Sequence, residues 1–102
     1  MEHTGGSCRC HDKKLRGEEE KRRLLNRLRR IEGQIRGISG MVEKDVYCTD
    51  ILVQSAAAAA AIKAFERDLL AEHIRSCVAE DIRAGRDEII DELVETLQKL
   101  MK

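Results

Sequence analysis

The sequence predicts an all-α chain on three observations. Apolar residues recur at helical spacing from Leu24 to Val42, the stretch from Met41 to Ala84 contains neither Gly nor Pro, and no segment alternates apolar and polar residues with the period of a strand. At 102 residues the chain is one domain, and 37% charged against 42% hydrophobic residues make it a small, well-solvated, helix-rich unit. One Phe, one Tyr and no Trp exclude a core built from rings and a stacking platform for bases, so core volume must come from Leu, Ile, Val and Ala. A domain of this size buries only about 60 to 65% of its unfolded surface, so long apolar helix faces are expected to be covered by other copies of the chain.

Residues 1–15 begin MEHTGGSCRCHD, without apolar periodicity, and read as a flexible N-terminal tail. A helical domain over 16–102 follows, starting near Gly17. Leu24, Leu28, Ile31, Ile35, Ile38 and Val42 then recur at steps of four and three, the stripe of an amphipathic helix with a coiled-coil-like seam. Gly33, Gly37 and Gly40 each weaken that helix by about 1 kcal/mol relative to Ala, a cost that makes sense if another backbone packs closely there. Gly40, or the residues just after Met41, is the expected stop.

A second helix is predicted from about Val46 to Arg83, about 57 Å long at 1.5 Å per residue, with Ile51, Leu52, Ala56, Ala59, Ile62, Leu69, Ile74 and Val78 in helical phase. Ala56 to Ala61 make a slim mid-helix surface that a neighbour can approach closely. Gly85 ends the helix in the C-cap role. The third helix is expected from Asp87 to about Met101, with Ile90, Leu93, Val94, Leu97 and Leu100 inward and the acids Asp87 and Glu88 at its positive end.

The net charge of zero conceals an asymmetry. Residues 1–40 carry eleven Lys and Arg against six Asp and Glu, and residues 41–102 carry eight against thirteen. A chain basic at its front and acidic behind suits a localised anionic partner, of which nucleic acid is the first candidate. Residues 1–14 are polar, and the longest uncharged run, Ile51 to Ile62, is half alanine, so no segment of signal-peptide or membrane-spanning type is expected. The expected location is the cytoplasm, where four Cys are thiolate ligands or reactive thiols rather than a disulfide framework.

His73 and Cys77 stand four apart on the second helix, so both side chains leave the same face one turn from each other. Alone, such a pair is as often a hydrogen-bonded His beside a small buried thiol. Cys48, next to Tyr47 at the other end of the same helix, shifts the balance. About 37 Å of helix separates Cys48 from His73, whereas metal bonds to sulfur and nitrogen are near 2 Å. One protomer cannot close such a site. Two copies of the helix lying antiparallel bring the Cys48 end of one to the His73 and Cys77 end of the other, giving two symmetric sites per dimer. Two thiolates and one imidazole are a soft, low-coordinate set that suits Cu(I), about one per protomer, whereas zinc would want a fourth ligand.

The segments RLRRIEGQIRGI from Arg27 to Ile38 and YCTDILVQ from Tyr47 to Gln54, together with Cys48, His73 and Cys77, resemble the copper-sensitive operon repressor (CsoR) family, in its copper-sensing branch. The resemblance covers roughly Arg16 to the C-terminus. It implies a three-helix protomer with a long antiparallel helix pair and a short C-terminal helix, a dimer of dimers forming a disc-shaped tetramer, and operator binding without a helix-turn-helix. It also implies release from DNA when Cu(I) binds across the dimer, derepressing copper resistance genes, and allows a copper chaperone as a further partner. Relatives in this fold sense nickel or cobalt, formaldehyde or persulfides. The further ligand position of the nickel branch falls on Arg16, which cannot ligate, and His73 is absent from the persulfide branch. In copper-sensing relatives a Tyr and a Glu support the ligand His, and these map to Tyr47 and Glu92, with Glu88 and Glu95 as alternatives in the same helix.

The arginine row on the first helix resembles the family's DNA-contacting surface, with Arg22, Arg23, Arg27, Arg29, Arg30 and Arg36 as candidates and Lys13, Lys14 and Lys21 in support. A charge run on its own is usually a solvated face. With few Asn, Gln or aromatic base readers, affinity is expected from phosphate contacts and specificity partly from DNA shape, although some arginines can read guanine. Cys8, Cys10 and His11, with His3, are candidate auxiliary copper ligands, set against a tail whose ligands are incidental. The rival from another class is a copper-buffering protein that binds no DNA. Catalysis is the weakest class, because no nucleophile, base and orienting group stand at suitable spacing.

Overall fold

The computed structural model describes residues 16–102, and among them the chain is helical throughout, with no strand. The tail candidates Cys8, Cys10 and His11 lie outside the described residues. Two compact units divide the described chain, one over residues 16–69 and one over residues 70–102.

In the first unit, α1 runs from Glu18 to Glu43. Gly17 is its N-cap in extended backbone, and Glu18, Glu19 and Glu20 fill the first turn, where carboxylates complement the free N–H groups of the helix end. The helix passes through Gly40 and ends at Glu43, among the residues just after Met41 that are the alternative expected stop, because a glycine permits a helix to end without forcing it. What ends α1 is a Schellman motif around Asp45, which takes the left-handed conformation at φ 56°. The Val46 N–H donates to the Met41 carbonyl at 3.0 Å and the Asp45 N–H to the Val42 carbonyl at 3.2 Å. Asp tolerates this conformation better than most residues with a Cβ, which is why no glycine marked the turn in the sequence.

α2 begins at Cys48 and runs to His73. Within residues 16–69 it returns antiparallel to α1: the short turn joins one end, and at the other Asp68 meets Arg23 and Arg27. Leu24, Ile31 and Ala58 are the buried apolar residues of this hairpin. Leu28, Ile35 and Val42, expected on the same inward stripe, are exposed, as are Leu52, Val53 and Ile62 on α2. A Cβ placed on Gly37 or Gly40 would meet nothing within 4 Å, so the close backbone neighbour expected at these glycines is not supplied by the described residues.

In the second unit the helical path continues past His73, but the single α-helix expected to Arg83 is interrupted by a π-helical turn, Ile74–Val78, before α3, Ala79–Arg83. The Ala79 N–H reaches back five residues to the Ile74 carbonyl. One local cause is Ser76, whose hydroxyl donates to the Glu72 carbonyl at 2.8 Å and competes with the backbone for that acceptor. Gly85, at φ 85°, closes α3 in a second Schellman motif: the Arg86 N–H donates to the Asp81 carbonyl at 2.8 Å and the Gly85 N–H to that of Ile82 at 3.0 Å. α4 spans Glu88–Leu100 and is the third helix expected from the sequence. Its buried position is Ile89, 3% exposed, and not Ile90, 45% exposed, so the inward stripe is Ile89, Leu93, Leu97 and Leu100, with Val94 outward. Cys77, Val78 and Ile89 are the buried apolar residues here, beside the buried carboxylate Asp81, whose Oδ1 lies 3.3 Å from Arg86 Nε.

One composition-based expectation is corrected. The helical run from Cys48 to Arg83 contains an 18-residue window of mean hydropathy 1.2, enough by length and composition alone to cross a membrane, with only 6% of that window buried. Alanine produces this value, since it adds hydropathy without the bulk of Leu or Ile.

The two left-handed turn residues should respond oppositely to substitution. Gly85→Ala should destabilise the protein by about 1 to 2 kcal/mol, while Asp45→Gly should be neutral or slightly stabilising, both read from urea unfolding at fixed protein concentration. Equal effects at both positions would contradict the turn assignment.

Candidate metal centre and arginine face

Cys48 is the first residue of α2, and His73 is its last. Cys48 is an exposed free thiol beside Tyr47, which is 72% exposed and so does not pack its ring on the core. His73 is half-buried, and Cys77 lies in the π-helical turn with no exposed surface. A π turn takes more residues than an α turn, so it resets the angular relation of Cys77 to the α2 side chains before it. Ser76 Oγ stands 3.8 Å from Cys77 Sγ.

Among the described residues, no three His, Cys, Asp or Glu side chains converge to hold a metal ion. The donors that the chain carries, thiols and an imidazole, are the soft set that favours Cu(I) over hard cations. Glu88, Glu92 and Glu95 are all exposed on α4.

The arginine row is an observable feature of α1. Arg22 pairs with Glu19 at 3.3 Å and Arg36 with Glu32 at 3.7 Å, both exposed contacts within one helix. Such pairs contribute little and are screened by salt. Arg29 donates to Asn26 Oδ1 at 3.0 Å. Arg23 and Arg27 differ, because they share a carboxylate from the other helix: Arg23 Nη1 donates to Asp68 Oδ2, and Arg27 Nη2 lies 3.5 Å from the same oxygen. Arg27, Arg30, Ile31, Gln34 and Ala61 line a shallow cavity of about 370 Å³ on this face. Sequence reasoning alone misses Asp68. The signal lies in the turn position: an antiparallel return about residues 44–47 sets Arg23 opposite the region of Asp68.

A family model of metal-sensitive transcriptional repressors matches residues 20–99. The chain is 48% identical over 88 residues to the copper-sensing transcriptional repressor CsoR of Bacillus subtilis, covering 85% of this chain and 87% of that protein. It is 42% identical over 67 residues to the copper-sensing transcriptional repressor RicR of Mycobacterium tuberculosis, covering 66% of this chain and 70% of that one. Among solved structures, the copper-sensing repressor CsoR with Cu(I) from Geobacillus thermodenitrificans superposes with a TM-score of 0.83 at 43% identity, over 86% of this chain and 93% of that one.

Proposed function

This chain belongs to the family of metal-sensitive transcriptional repressors, and from that premise we propose that it is a Cu(I)-responsive repressor that holds operator DNA without metal and releases it when Cu(I) binds. Its relatives named above are copper-sensing repressors, one of them crystallised with Cu(I). Such a role is one of binding, not catalysis, and places the chain in the cytoplasm with the DNA.

The observation that carries the metal reading is the placement of the donors. Cys48 opens α2 and His73 ends it, Cys77 follows in the next turn, and no three ligands converge among the described residues. This favours completion by a second copy, with Cys48 from one protomer and His73 and Cys77 from its partner. When bound, Cu(I) supplies a soft cation that ties two chains together through three bonds. Tyr47 and Glu92 are proposed to support His73 and link it to α4. A dimer of dimers also accounts for the apolar residues exposed on α1 and α2, and for the uncovered glycines Gly37 and Gly40.

The arginine face is proposed to hold DNA mainly by phosphate contacts, since Arg22, Arg23, Arg27, Arg29, Arg30 and Arg36 lie along one helix and their partners on α1 are exposed and weak. A buffering protein that binds no DNA has no use for such a row.

Two experiments test these assignments. Cys48→Ala and Cys77→Ala should each abolish the three-coordinate Cu(I) site when prepared alone, whereas co-refolding the two under reducing conditions should restore about a quarter of the sites. Random exchange makes about half the dimers mixed, and each mixed dimer holds one intact site and one doubly damaged site. Zero recovery, with subunit exchange confirmed by mass spectrometry, rules out the shared site. Replacing Arg27 and Arg30 by Ala should weaken binding to the promoter fragment of the protein's own gene and lower the slope of log affinity against log salt by up to about one unit for each phosphate no longer neutralised. Unchanged affinity in a folded variant would return the row to the status of a solvated face.

A further inference from the structure

We infer that Asp68 is a positioning residue for DNA binding, holding Arg23 and Arg27 from behind so that both guanidiniums are set before DNA arrives; the inference rests on the proposed role of the arginine face. Arg23 and Arg27 stand four apart on α1, so their side chains share a face one turn from each other. One oxygen, Asp68 Oδ2, serves both. The other ion pairs of the arginine row, Arg22 with Glu19 and Arg36 with Glu32, join exposed neighbours on the same helix and hold no side chain in a tertiary position. Asp68 instead reaches across from α2, and its side chain is only 32% exposed, which reduces screening.

A carboxylate beside a DNA-contacting arginine can act in two opposed ways. It can compete with phosphate for the guanidinium, or it can fix the guanidinium while leaving its other donors available. Donor arithmetic favours the second. Each guanidinium has five N–H donors, and Asp68 is approached by a single nitrogen of each. One negative charge against two positive ones also leaves the cluster cationic. Arg27 keeps a further side on the cavity that it shares with Arg30 and Gln34, where two guanidiniums and an amide present donors suited to a phosphate oxygen. Fixing two long side chains in advance removes an ordering cost that DNA binding would otherwise meet. Because Asp68 sits on α2, five residues before His73, the support comes from the helix that carries two of the proposed copper ligands.

A double-mutant cycle tests this by fluorescence anisotropy, using the reduced, metal-free protein and a labelled duplex from the region upstream of its own gene. Asp68→Ala should lower affinity by about tenfold, and Asp68→Asn, which keeps an acceptor oxygen, should lose less. In the background Arg23→Ala with Arg27→Ala, itself weakened, Asp68→Ala should have no further effect, because the residue acts only through those two side chains. Circular dichroism and sedimentation verify that each variant is folded and assembled. Tighter binding by Asp68→Ala would make the carboxylate a competitor and overturn the inference. Losses that add in the triple variant would make it a general helix-packing residue and overturn it equally. Unchanged affinity in Asp68→Ala alone sinks the inference while leaving the arginine face intact, whereas unchanged affinity in Arg23→Ala with Arg27→Ala removes the DNA-binding reading on which it rests.

Discussion

Two long helices lying side by side bury only the residues that face each other, and here those are Leu24, Ile31 and Ala58. The sequence supplies far more apolar surface than this. Leu25, Leu28, Ile35 and Val42 on α1, with Leu52, Val53 and Ile62 on α2, stay exposed in the single chain. At about 25 cal/mol per Å² of apolar area removed from water, covering such a face is worth more than any ion pair on the surface. The proposed second copy would cover this face before any metal or DNA binds, and the proposed inter-subunit copper site would use that association.

The two ends of α2 acquire their meaning from the same constraint. Cys48 is exposed at one end, His73 half-buried at the other, and Cys77 fully buried just beyond. A site closed within one protomer would sense copper without altering how chains meet. A site divided between chains couples ligand chemistry to the interface, so a ligand that prefers one arrangement of the two chains shifts the population toward it. The π-helical turn at Ile74–Val78 lies next to the imidazole in sequence, and Ser76, which takes the Glu72 carbonyl, helps to sustain it. Departures from α geometry of this kind occur often at functional sites.

Much of this is legible in the sequence, for identifiable reasons. The start near Gly17, the stop at Gly85 and the span of the last helix follow from caps and period, which are local properties. Asp45 escapes notice because the left-handed turn that ends α1 is filled by an Asp, while Gly40 offers a more obvious but unused stop. Ile89 and Ile90 are hard to tell apart because adjacent apolar residues fit one stripe nearly equally, and only packing in residues 70–102 decides between them. The partnership of Asp68 with Arg23 and Arg27 is a tertiary fact that no local pattern encodes. Cys48, His73 and Cys77 are proposed as ligands from residue type and spacing, and their convergence, as proposed, needs two chains.

The dependence of folding on association is open to direct measurement. Urea unfolding of the reduced, metal-free protein, followed by circular dichroism over a hundredfold range of protomer concentration, separates a self-sufficient monomer from an obligate assembly. An obligate assembly requires the midpoint to rise steadily with concentration, with loss of helix coinciding with dissociation in sedimentation. A midpoint independent of concentration, with a folded monomer persisting at the lowest concentration, would contradict it.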